Sequence, residues 1–209
     1  PADPLTYTIV AAALVGAVTF GLGGWLSSVL LLAFFISSSA LTRLGSRHKR
    51  RLAGRMQKGG PRDEWQVLAN GALAAVFAAG YGLTGRQPWL VALTGALAAS
   101  TADTWATELG ILATRRPWLV TSWRPVEAGT SGAVSLNGSL AALGGAALLG
   151  SVGGALMGGL AAAPAAAPRL ALSATLGGLT GAFFDSLLGA TLQASYHCPR
   201  CGQQTEHHP

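Results

Sequence analysis

The sequence predicts an all-α, polytopic membrane protein of about six transmembrane helices, and three observations carry that expectation. Only 11% of the 209 residues are charged and 50% are hydrophobic, with a mean hydropathy of +0.43, whereas a soluble domain carries about 25% charged residues. The charges are clumped, so long stretches hold none. The 29 glycines, many of them beside alanine, would weaken soluble helices but let membrane helices approach closely.

A crossing helix needs about 20 mostly apolar residues, and six stretches meet that need: 7–24, 25–41, 66–83, 89–112, 133–163 and 170–194. The first opens from "PADPLTYTIV", which has no basic leader, so it reads as the first span of a trimmed chain and not as a secretory signal. The second runs to the basic "TRLGSRHKRR". The third begins at "QVLANG" and the fourth at "WLVAL". The fifth, "GSLAALGGAALLGSVGGALMGGL", repeats small residues at i and i+4, and its length implies tilt or an early end. The sixth leads into a tail, so the chain divides into a helical domain, 1–195, and a short cysteine-containing tail, 196–209.

Basic residues predict the orientation. Eight of the 14 Lys and Arg, from Arg43 to Arg62, lie between spans two and three, and Arg115, Arg116 and Arg124 follow span four. The alternate loops hold only Arg86 and Arg169. Cytoplasmic loops attract Lys and Arg, so both termini are expected in the cytoplasm, with the chain in the inner membrane if it is bacterial. The net charge of +6 is then mostly topology, with some capacity to attract anionic headgroups or a nucleotide, and nothing points to nucleic acid.

Span four ends in "STADTWATELG". At about 100° per residue, Ser100, Thr101, Asp103, Thr104, Thr107 and Glu108 fall within a sector of about 160°, with Asp103 at one edge and Glu108 near the other. A carboxylate in the bilayer costs at least about 2.5 kcal/mol and belongs on a bundle interior or a wet cavity. Asp63, Gln66 and Asn70 share a stripe at i, i+3, i+7. Gly178, Ala182, Asp185, Ser186, Gly189 and Gln193 form another, and Ser131, Ser135 and Gly138 a third. Polar faces at similar depth in four spans predict one cavity open to the cytoplasm; a packing network is the alternative reading.

Three carboxylates, Asp103, Glu108 and Asp185, suit a hard cation such as Mg²⁺, which takes one or two carboxylates plus phosphate oxygens. "GTSG", Gly129, Thr130, Ser131 and Gly132, reads as a loop entering a helix, with Thr130 or Ser131 as N-cap and free N–H groups for phosphate. "KGGPRD" places Lys58, Gly59, Gly60, Arg62 and Asp63 at the cavity mouth. These parts suit phosphoryl or nucleotidyl transfer. No Ser/His/Asp set and no HExxH motif occurs. Cys198 and Cys201 form a CxxC in "YHCPRCGQQTEHHP", which reads as one knuckle of a structural zinc site or as a free thiol pair. In a cytoplasmic tail a structural disulfide is not expected.

The segments "KGGPRDEWQVLANG", "ASTADTWATELG", "GTSGAVSLNGSLAALGGAAL" and "FFDSLLGATLQASYHCPRCG" together resemble the domain of unknown function 92 family, which includes transmembrane protein 19 and the plant phytyl-phosphate kinase. Family members usually continue past the cysteine pair with a further Asn-containing apolar segment that is not in this sequence. The resemblance implies an integral membrane phosphotransferase that moves phosphate from a nucleoside triphosphate, CTP or ATP, to an isoprenyl monophosphate. On that analogy Asp103, Glu108, Asp185, Asn70, Lys58, Arg62 and the GTSG loop form the site. Two other classes remain open: a transporter or lipid flippase, since intramembrane carboxylates also mark ion paths and "ASTADTWA" echoes "AFFDSLLGA", and a scaffold that docks partners through its tail.

Overall fold

A computed structural model describes residues 3–52, 64–113, 115–160, 164–193, 196–197 and 204–205. Five α-helices lie among them: α1 (Pro4–Leu52), α2 (Glu64–Thr84), α3 (Gln87–Gly110), α4 (Leu136–Leu160) and α5 (Ala167–Thr191). Four contain segments long and apolar enough to cross a membrane: Leu5–Arg43, Trp65–Thr84, Leu136–Gly159 and Ala167–Thr191. The expectation of six spans therefore meets five helices and four membrane-length segments. Helix α3 falls short because the polar residues from Ser100 to Glu108 dilute its second half.

The two spans expected at 7–24 and 25–41 lie in α1, a single helical element of 49 residues interrupted at Gly24, whose φ of 67° and ψ of −171° are not helical. That backbone region is essentially closed to residues with a Cβ. Before the break, Val15 packs on Gly71 and Leu22 on Gly82, so this half of α1 runs in the same direction as α2. After it, Leu26 joins the cluster of Leu90 and Tyr81, and Thr42 reaches Glu108. This half runs with α3, which is antiparallel to α2 across the turn at Gly85 and Arg86. The chain reverses at Gly24.

Helix α3 lies at the centre and packs on α1, α2, α4 and α5, burying Leu90, Leu93, Leu97, Ala98 and Ala102. Its neighbours approach through small residues, as the Gly/Ala pattern predicts. A Cβ placed on Gly178 of α5 would lie 2.7 Å from Ala98 Cβ, and one on Gly145 of α4 would lie 3.1 Å from the Thr101 carbonyl oxygen.

The connection from α3 to α4 departs from expectation. Residues 133–134 do not start a helix. Strand β2 (Ala133–Val134) pairs antiparallel with β1 (Trp118–Leu119), Trp118 facing Val134 and Leu119 facing Ala133. Helix α4 starts only at Leu136 and ends at Leu160. A single 3₁₀ turn, Pro164–Ala166, leads into α5. In the tail, β3 (Tyr196–His197) pairs antiparallel with β4 (Gln204–Thr205); Cys198 and Cys201 fall between them, outside the described residues.

Candidate functional site

A cavity of about 680 Å³ opens between α3, α4, α5 and the hairpin loop. Helix α3 contributes Asp103, Ala106 and Thr107 to its wall, and α5 contributes Asp185, Ser186 and Gly189 with Gln193 just beyond. The α5 stripe read from the sequence thus faces one space, except that Gly178 is buried against Ala98. Leu179, Ala182, Phe183 and Leu188 line the cavity from α5, and Ala142 from α4. One space therefore joins carboxylates and hydroxyls to an apolar wall.

All four residues of the GTSG loop line this cavity. Gly129 and Gly132 have φ of 93° and 74°, left-handed conformations that glycine adopts without a Cβ penalty. The Thr130 N–H donates to the Glu127 carbonyl at 3.2 Å, and the Ala133 N–H to the Thr130 carbonyl at 3.1 Å. Gly132 packs on the backbone of Ala190 with no room for a Cβ, and the Ser131 hydroxyl donates to Gln193 Oε1. The last turn of α5 therefore holds the loop.

Neither Thr130 nor Ser131 caps the following helix, because β2 intervenes. The cap is Ser135, whose Oγ accepts the Gly138 N–H at 3.1 Å. Ser135, Gly138 and Ser139 line the cavity, so the positive end of α4 still borders it. Ser135 immediately before the apolar run of α4 was the available signal for this cap. The cavity's Pro117, on the far side of the hairpin, had no signal beyond the Pro and Gly punctuation of its loop.

The polar wall of α3 divides. Asp103 and Thr107 line the cavity, but Glu108 does not. Five residues apart, the two carboxylates are about 140° apart around the helix. Glu108 is 7% exposed and accepts a hydrogen bond from the Thr42 hydroxyl of α1 at 3.0 Å. Asn70 also lies away from the cavity: its carbonyl accepts the Ser100 hydroxyl at 3.0 Å, and its Nδ2 donates to the Gln66 carbonyl at 2.9 Å. The expected set of Asp103, Glu108 and Asp185 does not assemble, and among the described residues no group of three or more His, Cys, Asp or Glu side chains is placed to hold a metal. Asp103 and Asp185 remain as two carboxylates on one cavity, a donor set that fits Mg²⁺ with phosphate oxygens completing its shell. Lys58, Gly59, Gly60, Arg62 and Asp63 lie outside the described residues.

A family model described as "Integral membrane protein DUF92" matches residues 6–209. Protein PGR of Arabidopsis thaliana is 38% identical over 196 residues, spanning 84% of this chain and 67% of its own length. An uncharacterized membrane protein of Methanocaldococcus jannaschii is 34% identical over 185 residues, 88% of this chain and 73% of its own. One from Synechocystis is 32% identical over 190 residues, 85% and 67% respectively. No solved structure matches.

Proposed function

The chain belongs to the DUF92 family of integral membrane proteins, and from that premise we propose that it is a membrane-embedded prenyl-phosphate kinase. The observation that carries this reading is the cavity itself: Asp103 and Asp185 on facing helices, the amino-terminal end of α4 and the GTSG loop beside them, and an apolar wall from α5. An amphiphile with an anionic head and a branched hydrocarbon tail matches those surfaces.

In this reading an oxygen of the isoprenyl monophosphate attacks the γ-phosphorus of CTP or ATP. The bond from that phosphorus to the β,γ-bridging oxygen breaks, and the nucleoside diphosphate leaves with the electron pair. The product is an isoprenyl diphosphate. The acceptor is already ionised, so no strong base is needed; alignment and charge neutralisation supply the catalysis. Mg²⁺ held by Asp103 and Asp185 would offset the charge of the phosphate oxygens. Ser135 and Ser139 at the start of α4, with the loop amides, orient the phosphates, and Lys58 and Arg62 of the "KGGPRD" segment supply cations. We count six crossings, with the two halves of α1 on either side of Gly24 as separate passes, and both termini on the cytoplasmic side where the nucleotide is found.

A second reading rests on Glu108, a buried carboxylate away from the cavity, which would suit a transporter or flippase. Protein in nanodiscs, given an isoprenyl monophosphate, Mg²⁺ and each nucleotide, separates the two. The kinase reading expects isoprenyl diphosphate formed in step with nucleoside diphosphate. Nucleotide-independent lipid or ion flux in liposomes, with no diphosphate formed, would instead favour transport.

A further inference from the structure

The hairpin loop that walls the cavity also has an outward side. Arg115, Arg116 and Arg124 are exposed there, as are Trp118 at 47% and Trp123 at 65%. Glu127 is the one acidic residue between α3 and α4, so this face is basic and aromatic together.

Trp123 is held in an unusual way. Its φ of 51° makes it the one non-glycine residue with positive φ among the described residues, an outlier for a bulky side chain. The turn is closed by the Trp123 N–H donating to the Leu119 carbonyl at 2.8 Å and the Leu119 N–H donating to the Arg124 carbonyl at 2.9 Å. Glycine would satisfy that turn without strain. The turn nonetheless carries an indole that packs little on its own protein, which points to something outside the chain.

The level of the hairpin identifies that surrounding. Strand β2 ends at Val134, two residues before Leu136 opens the membrane-length segment of α4. Leu136 and Leu140 are 75% and 59% exposed, as lipid-facing residues are. The hairpin thus sits where the hydrocarbon layer gives way to headgroups, the layer in which Trp concentrates. Arginine there pairs with lipid phosphate.

We propose that the outward face of the β1–β2 hairpin is a binding surface for anionic phospholipid of the surrounding bilayer. Trp118 and Trp123 seat among the headgroups, and Arg115, Arg116 and Arg124 pair with the phosphates. The surface does not depend on the kinase reading, and it would gather anionic lipid at the cavity's edge whatever the cavity binds.

The test uses the full chain in nanodiscs, with the fluorescence that wild type loses on Trp123→Phe taken as the Trp123 component. Bromines on shallow acyl carbons should quench that component more than bromines placed deep, and aqueous iodide should quench it little. At equal mole fraction, brominated phosphatidylglycerol should quench at least about twofold more than brominated phosphatidylcholine, since basic residues near the surface attract anionic headgroups. Arg115→Gln/Arg116→Gln/Arg124→Gln should erase that preference. If the triple variant does not fold, wild type in 1 M salt, where the screening length is about 3 Å, should lose the preference instead. Free access of iodide to Trp123, as for a loop in water or one awaiting a soluble partner, overturns the proposal. So does equal quenching by the two lipids.

Discussion

The Thr42 hydroxyl oxygen lies 3.0 Å from Glu108 Oε1 and also 3.0 Å from the Ser38 carbonyl oxygen. One hydroxyl proton is shared between the two acceptors, so Thr42 ties its own helix, α1, to α3. It sits on the side of α3 turned away from Asp103.

Glu108→Gln keeps an acceptor for Thr42 and should leave diphosphate formation within about threefold of wild type. Thr42→Val removes the half-buried donor to the buried Glu108 carboxylate and should lower stability by about 1–3 kcal/mol, read as a lower thermal midpoint in nanodiscs. Loss of turnover in Glu108→Gln comparable to that of an Asp103 variant would return Glu108 to the reaction site.

Asp103→Asn preserves size and most hydrogen-bonding capacity while removing one charge from the cavity. Membrane insertion should survive, because the cost of placing that carboxylate in the bilayer disappears. Diphosphate formation should fall by at least about 100-fold, about 2.7 kcal/mol of transition-state stabilisation, with partial recovery at high Mg²⁺. Normal turnover would make Asp103 a packing residue and overturn the site assignment.

Gly178→Val tests the close approach of three helices. A Cβ at this position already lies 2.7 Å from Ala98 Cβ and 3.2 Å from Ala146 Cβ, with no flexible side-chain end to yield. Overpacking of this kind costs about 1–3 kcal/mol, so the thermal midpoint should drop, whereas Gly177→Ala, where a Cβ meets nothing within 4 Å, should be neutral. Equal behaviour of the two variants would mean that the α3–α5 contact is looser than described.

Orientation can be read with impermeant maleimides. Arg51→Cys and Arg116→Cys, in a Cys198→Ser/Cys201→Ser background, should react only from the cytoplasmic side. Reaction from the opposite face at either position would invert the placement of the cavity.

The tail has its own assay. Cys198→Ser/Cys201→Ser should lower zinc content and thermal stability while sparing activity per folded molecule, as a structural metal predicts. Wild-type protein that purifies without zinc and matches the variant in stability would leave the thiols with no metal role.

Helical periodicity made the lining of the cavity legible wherever one helix supplied it. The stripe from Ala182 through Asp185, Ser186 and Gly189 to Gln193 faces the cavity because i, i+3, i+4 and i+7 spacing determines a face regardless of neighbours. The same periodicity could not say which neighbour each edge of α3 meets, so Asp103 and Glu108 looked like one wall yet face different helices. The start of α4 was misjudged for another reason. Ala133 and Val134 are apolar and precede an apolar run, but Gly132 turns the backbone left-handed and the two residues pair with Trp118 and Leu119. Such pairing depends on residues about 14 to 16 positions away, beyond any local pattern. The 3₁₀ turn at Pro164 was similarly hidden inside an Ala-rich stretch.

Gly24 carries a consequence for biogenesis. An unbroken helix of 49 residues would be about 74 Å long, against a hydrocarbon layer of about 30 Å. On the proposed six-crossing reading, the reversal leaves no loop between the first two passes and no charge with which to orient them separately, so they would enter the bilayer together as a hairpin. A side chain at position 24 would favour continuation of the helix over reversal, and one pass would be lost. Every later helix would then be threaded upside down, with Asp103 and Asp185 opening toward the wrong compartment. On that reading, a single missing methyl group sets the parity of the whole molecule.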